Sequence, residues 1–229
     1  MTSISERLAA TRARLAAAEA AAGRAAGTVG LIAVSKTHPA SAIREAYGLG
    51  QRDFGENYLQ EALSKQEQLQ DLGITWHFIG PIQSNKTRPL ASHFAWVHSL
   101  DRLKIAQRLS EQRPEELPPL NVCIQVNVSG EASKSGIVIP ELSELAAAVA
   151  ELPRLRLRGL MAIPAPDTDT ANQRLAFRRL REALVSLELP GLDTLSMGMS
   201  DDLEAAVAEG ATLVRIGTAI FGARPARAS

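Results

Sequence analysis

The sequence predicts a closed barrel of eight parallel strands, each followed by a helix. Three observations lead there. From Gly30 onward, short apolar runs alternate with amphipathic segments about eight times. Such alternation implies parallel pairing, because a parallel crossover is long enough to need a helix. The eight repeats fill little more than 200 residues with no break in composition, which suits one (β/α)8 unit. A doubly wound open sheet is the competing arrangement. The expected organisation is a single domain over 1–229, led by a helix over 2–26.

In that leading helix Ile4, Leu8 and Leu15 are spaced by four and seven, one helical stripe, with the small polar Thr11 between the last two. Ser3 or Thr2 caps its start and Gly27 stops it. Glu6, Arg7, Arg12, Arg14 and Glu19 interrupt every apolar stretch, so it is no signal peptide. It is expected to pack on the main body, with partner binding as the alternative.

The repeats follow in order. Leu31–Val34 is an apolar run, and Pro39–Gly48 behind it reads helical. Asp53–Gly55 is short and strand-like, followed by the charged, amphipathic Tyr58–Leu72. Trp76–Ile79 is the third strand, and Ser84–Ala91 the helix after Pro81. Phe94–His98 is the fourth strand. Asp101 caps a helix running to Arg113, with Leu103 and Ala106 on its buried face. Pro114, Pro118 and Pro119 mark a loop. Leu120–Val128 alternates Val122, Ile124, Val126 and Val128 with Asn121, Gln125 and Asn127, the period of a strand. Pro140–Leu152 carries proline in its first turn. Leu155–Ile163 is the sixth strand and Thr170–Leu187 the sixth helix. Thr194–Met197 leads into a helix from Ser200 to Glu209, with Asp201 and Asp202 at its positive end and Gly210 as its stop. Thr212–Ile216 is the last strand.

Composition excludes several functions. Lys and Arg number 25, as do Asp and Glu, so no basic excess favours nucleic acid. No apolar run reaches the roughly 18 residues of a membrane span. The lone cysteine, Cys123, forbids an intrachain disulfide and suits a reducing, cytoplasmic setting. Four scattered histidines lack metal-ligand spacing.

Barrels of this kind bind ligands at the C-terminal ends of their strands, with phosphates often on the loops after strands 7 and 8. Of five lysines, Lys65 and Lys104 lie in polar helical contexts and are expected in solvent, while Lys86 and Lys134 lie in loop-like stretches. Lys36 alone follows an apolar strand at the barrel mouth. Desolvation disfavours its charged form, and a neutral amine can form a Schiff base with an aldehyde. An anion anchor or a surface lysine remains open. Met197-Gly198-Met199-Ser200 precedes a helix, and Gly217-Thr218 opens what reads as a short extra helix. Together they make a phosphate cup, or else ordinary turns and caps. Arg215 lies two residues before Gly217, so both share one face. An inward arginine needs a ligand or a carboxylate, Glu56 being the candidate. Gly80–Thr87 nearly spells a nucleotide-binding loop, but Asn85 replaces its second glycine. His77, between Trp76 and Phe78, fits a core histidine. Arg154, Arg156 and Arg158 alternate with leucines as an outward polar face, and Arg178, Arg179 and Arg181 suit the solvated side of a helix.

AVSKTHP around Lys36, FGENYLQE from Phe54, HFIGPIQSNK from His77, SKSGI from Ser133, RLRGLMAIP from Arg156, LSMGMSDDLEAA from Leu195 and VRIGTAIFG from Val214 resemble the pyridoxal phosphate homeostasis proteins. The resemblance spans essentially the whole chain. It implies a single TIM-type barrel like the N-terminal domain of alanine racemase (fold type III), with pyridoxal 5′-phosphate held as a Schiff base on Lys36. It implies Ser200, Gly217 and Thr218 as phosphate contacts, with Ser196 nearby, and Arg215 as partner of the pyridine nitrogen. Asn57, His77 and Met161 occupy motif positions lining the mouth. An arginine can only donate, so the ring nitrogen stays unprotonated and the ring is a weak electron sink. The second base of the racemases comes from an additional domain, for which this length leaves no room. The expected role is therefore storage or transfer of the cofactor by a cytoplasmic monomer. Apo enzymes dependent on pyridoxal phosphate are the expected recipients, with little or no amino-acid turnover. Lys134 is a secondary candidate for cofactor exchange, and a tail ending Arg224-Pro225-Ala226-Arg227-Ala228-Ser229 offers no lysine for that task. An amino-acid racemase and a Schiff-base aldolase acting on a phosphorylated sugar are the competing readings.

Overall fold

The structure, a computed structural model, describes residues 2–130 and 135–223. Eight parallel strands close into a barrel in sequence order. They are β1 (Gly30–Val34), β2 (Asp53–Glu56), β3 (Thr75–Phe78), β4 (Trp96–Leu100), β5 (Leu120–Gln125), β6 (Leu155–Met161), β7 (Thr194–Ser196) and β8 (Leu213–Ile216). Closure is made where β1 pairs with β8, from Gly30 beside Leu213 to Ala33 beside Ile216. That pairing excludes the open sheet. The helices are α1 (Ile4–Ala21), α2 (Ala40–Gly48), α3 (Leu59–Gln68), α4 (Thr87–His93), α5 (Leu103–Gln112), α6 (Ile139–Ala150), α7 (Thr170–Ser186), α8 (Leu203–Ala208) and the short α9 (Thr218–Phe221).

Strand alternation separates two interiors. Ala33, Phe54, Phe78, Val97, Val122, Ile124, Leu160, Val214 and Ile216 face the helices and join one continuous apolar core. Each fully buried large aliphatic or aromatic side chain there contributes about 2 kcal/mol. The opposite face of the same strands fills the barrel, and it carries His77, His98, Gln125, Ser196 and Arg215, all buried.

The helix at the N-terminus begins as expected. Ser3 and Glu6 form a reciprocal capping box, and Leu8 and Leu15 are buried. Thr11 is accommodated because its hydroxyl donates to the Arg7 carbonyl, 2.8 Å away. The helix stops at Ala21, short of 26, because the Glu19 carboxylate turns back to accept from the amides of Gly27 (3.0 Å) and Val29 (2.7 Å).

Other boundaries also move. Asp101 does not cap α5; the cap residue is Arg102, without a side-chain bond, and its guanidinium holds Asp101 at 2.9 Å. Leu103 is 36% exposed, and Ile105, Ala106 and Leu109 form the buried face instead. Helix α8 starts at Leu203, because the Asp202 carboxylate accepts from the Met199 amide (2.6 Å) and holds 199–202 as a turn. Strand β5 ends at Gln125, where Val126 passes into an isolated bridge with Ile137. The arginines of α7 are not simply solvated. Arg174, Arg178 and Arg181 converge on Glu209, whose side chain is 1% exposed.

Candidate functional site

A cavity of about 650 Å³ opens at the C-terminal ends of the strands. Its wall includes Val34, Lys36, Asn57, Ile79, Ile163, Met199, Ser200, Arg215, Gly217 and Thr218. Six of the nine expected site residues therefore meet there: Lys36, Asn57, Ser200, Arg215, Gly217 and Thr218.

Lys36 follows β1 on the face that Ile32 and Val34 share. A Cβ added at Gly55 would sit 3.0 Å from Ile32 and 3.5 Å from Val34, which identifies that face as inward. Its loop is held by a network invisible in the sequence. The Lys65 amine, 5% exposed, donates to the Ser35 carbonyl (2.8 Å), to Glu56 Oε1 (2.7 Å) and to Glu61 Oε1 (2.5 Å). Ser35 donates its hydroxyl to Glu56 (2.6 Å), and the Thr37 amide donates to Glu61 (2.5 Å). The expectation that Lys65 is solvated is thus corrected: α3 turns it inward, beneath the Lys36 loop. Burial pushes the Glu56 carboxyl up, and the ion pair with Lys65 opposes that. Thr37 has a left-handed backbone, φ 67°, strained for a β-branched residue.

Glu56 faces the helices, whereas Arg215 faces the barrel, so strand parity rules out the pairing between them. Arg215 is 3% exposed. It donates to the Ser196 hydroxyl (2.7 Å) and to the Ala162 carbonyl (2.9 Å). Burial lowers its pKa to about 10, against the attraction of Asp202, so it stays charged at neutral pH.

The two glycine-containing loops stand on the same wall. Gly198 has φ 100°, and a Cβ there would meet that of Ala206 at 2.6 Å, so only glycine turns the chain from β7 toward Ser200. Helix α1 braces both loops. Arg14 donates to the Ser200 carbonyl (2.7 Å) while gripping Glu204 (2.6 Å), and Arg7 donates to the Ile220 carbonyl at the end of α9 (2.8 Å). On the opposite wall the Asn57 Oδ1 is buried with no hydrogen-bond partner among the described residues. The Asn57 backbone passes so close to Gly80 that a Cβ there would lie 2.1 Å from the Asn57 carbonyl oxygen.

Three expected wall residues lie elsewhere. His77, Met161 and Ser196 are at most 1% exposed and are not on the wall. The reason is depth. Along β3 and β6 the wall takes the next inward residues, Ile79 and Ile163, two positions beyond His77 and Met161. Ser196 is engaged by Arg215 and by His98 Nδ1 (2.8 Å). Lys86 is half-buried in a 3-10 turn over Ser84–Lys86, away from the wall. Lys134 and the tail 224–229 lie outside the described residues. Arg158, expected on an outward face, instead closes the barrel floor. It stacks over the Trp96 ring at 4.7 Å and pairs with Asp193 at 2.8 Å. Among the described residues, no group of side chains could hold a metal ion, and no helix is long and apolar enough to cross a membrane.

A parallel barrel with a lysine, a buried arginine and two glycine–hydroxyl loops on one rim is of the alanine racemase N-terminal class. The family described as "Alanine racemase, N-terminal domain" matches residues 7–225. A pyridoxal phosphate homeostasis protein of Pseudomonas aeruginosa is 70% identical, over 98% of this chain and 97% of its own. Its counterpart in Escherichia coli K12 is 59% identical, over 98% of both chains. The chain belongs to the pyridoxal phosphate homeostasis protein family. Among solved structures, PipY of Synechococcus elongatus without PLP superposes with a TM-score of 0.86 at 42% identity, covering 96% of this chain and all of that one. PipY with PLP bound gives 0.83 at 40% identity over the same shares. Alanine racemase of Corynebacterium glutamicum shares the fold, with a TM-score of 0.70 at 18% identity, over 97% of this chain and 63% of its own.

Proposed function

We propose that this protein binds pyridoxal 5′-phosphate and serves its homeostasis, storing the cofactor and handing it to apo enzymes rather than turning over amino acids. The observation that carries this reading is the convergence of Lys36, Arg215, Ser200, Gly217 and Thr218 on one cavity. The residues present fit the group. The cavity volume suits a small phosphorylated ring, the unpaired Asn57 Oδ1 awaits a polar partner, and the Arg215 guanidinium, bonded to Ser196 and Ala162, stands on the same wall. When bound, pyridoxal phosphate supplies a reactive aldehyde and an electron-accepting ring.

Lys36 holds the aldehyde carbon covalently. Ser200, Gly217 and Thr218 hold the phosphate, with hydroxyls and the first amides of α9, which have no acceptor within the helix. Arg215 donates to the ring nitrogen and so keeps it unprotonated. Asn57 closes the side facing β2. The PipY structure with PLP bound and the names of the close relatives support the same cofactor. Among the described residues, the wall offers no histidine, tyrosine or cysteine to act as a second base, which favours a carrier over a racemase. The chain acts as one domain and one monomer. A lone, buried Cys123, its thiol pushed up to about 12 by burial, favours the cytoplasm.

Reconstitution with pyridoxal phosphate should yield a yellow protein. Borohydride should then leave a pyridoxyl adduct on the peptide carrying Lys36. Lys36→Ala should abolish both the colour and the adduct. A coloured Lys36→Ala protein would refute the assignment, a sugar adduct would favour the aldolase reading, and sustained turnover in a chiral amino-acid assay would favour the racemase.

A further inference from the structure

A line of polar side chains runs through the barrel interior from the cavity to the opposite end. Arg215 bonds Ser196 Oγ (2.7 Å), and Ser196 Oγ meets His98 Nδ1 (2.8 Å). His98 Nε2 meets His77 Nδ1 (2.9 Å), and His77 Nε2 meets Asp53 Oδ1 (2.9 Å). Asp53 is the first residue of β2, and its side chain is 45% exposed at the floor of the barrel. It lies four residues before Asn57 on the cavity wall, a separation of about 13 Å along a strand.

The direction of every bond follows from the two ends. A guanidinium only donates and a carboxylate only accepts. With both imidazoles neutral, the four bonds have four hydrogens to share. One arrangement uses them all: Arg215 to Ser196, Ser196 to His98 Nδ1, His98 Nε2–H to His77 Nδ1, and His77 Nε2–H to Asp53. The reverse order would aim a bare His77 lone pair at the Asp53 carboxylate. In the allowed order each dipole turns its negative end toward Arg215. The chain thereby carries part of the Asp53 charge to a buried cation that has no carboxylate in contact among the described residues.

We propose that Asp53, His77, His98 and Ser196 are positioning residues for Arg215: a one-directional hydrogen-bond chain that orients its guanidinium from the far end of the barrel. What Arg215 then meets rests on the proposed function; the chain itself does not. The surroundings favour the neutral form of both histidines. His98 is held well below the usual histidine value by burial, by His77 and by Arg215. His77 is lowered by burial, against Asp53. Around them stand the indole of Trp96, stacked on His77, the Arg158–Asp193 pair, Cys123 and Asp202. Asp202 is the additional acid that acts on Arg215, through the field rather than by contact.

Histidine-selective 15N labelling and long-range 1H–15N spectra read the tautomers directly, in protein without added cofactor. The four histidines, His38, His77, His93 and His98, make assignment tractable. His77 and His98 should both be neutral Nε2–H forms throughout about pH 6–8, where an ordinary imidazole changes charge. Asp53→Ala, at a half-exposed position, should release His98 from its single tautomer although the two side chains do not touch. A Nδ1–H form of either histidine, protonation of either within about pH 6–8, or unaltered His98 signals in Asp53→Ala would each overturn the proposal. Ser196→Ala should weaken pyridoxal phosphate retention about tenfold, the loss of one hydrogen bond to a charged group, and should displace its visible band. Wild-type affinity and spectrum in that variant would overturn the link to Arg215. If the unaltered protein bound no pyridoxal phosphate, the proposed function would fall while the tautomer test still stood.

Discussion

The two ends of the barrel treat polar groups in opposite ways. At the floor they satisfy one another. Arg158 holds Asp193 and Asn121 and covers Trp96, while Asp53 accepts from His77. At the rim they are left open. Among the described residues, Thr37 Oγ1 and Asn57 Oδ1 are buried without partners and Arg215 lacks a carboxylate contact, and Thr37 is in a left-handed conformation. Buried polar groups are ordinarily paired, so an unpaired one on the cavity wall, Asn57 Oδ1, marks where binding energy can come from outside the chain; Glu56 Oε2 and Gln66 Nε2, also unpaired, lie among the helices. The floor is built for stability and the rim for a ligand.

That contrast can be broken or sharpened by three variants. The largest effect is expected from Gly80→Ala at the rim. Its Cβ would lie 2.1 Å from the Asn57 carbonyl oxygen, and backbone cannot give way cheaply. It should cost about 3 kcal/mol or more, visible in denaturant unfolding, and should also abolish cofactor retention by moving Asn57. Arg158→Met should do the reverse. With Asp193 half-exposed and solvent-screened, it should cost about 1–2 kcal/mol and leave pyridoxal phosphate retention unchanged. Weakened retention there would mean the two ends are coupled more widely than through the histidines.

The smallest effect concerns pH. Glu209, also toward the floor, lies below the usual carboxylate range: burial would raise it, but its bonds to Arg178 and Arg174 outweigh that. A lowered folded value means this stabilisation is complete above the ordinary glutamate pKa and is lost as pH falls through the lowered value. Glu209→Gln should flatten the acid limb of the stability curve, by no more than about 1 kcal/mol given the half-exposed arginines. A limb as steep as wild type would exclude this origin.

Much of the rim was legible beforehand. Lys36 comes just after β1, Gly217 and Thr218 directly follow β8 and open α9, and Ser200 lies in the turn between β7 and α8, so their sequence neighbours reveal their place. Lys65 was not legible. Its surroundings on α3 are polar, yet its amine turns in to the Lys36 loop, because the partners that draw it there, Glu56 and the Ser35 carbonyl, belong to other elements. His77 shows the same limit in another form. Its inward face was readable from alternation, but its depth was not, since depth depends on the stagger between neighbouring strands.

Sequence alone determined the order and kind of the elements, the shared face of Arg215 and Gly217, and the family. Those follow from local periodicity and from motifs that lie within one strand–loop–helix unit. Only the closed tertiary structure decided which side chains meet: that Arg215 reaches Ser196 rather than Glu56, that three arginines share Glu209, and that two histidines join Arg215 to Asp53. Those meetings depend on barrel closure and register, which bring residues distant in sequence within hydrogen-bond reach.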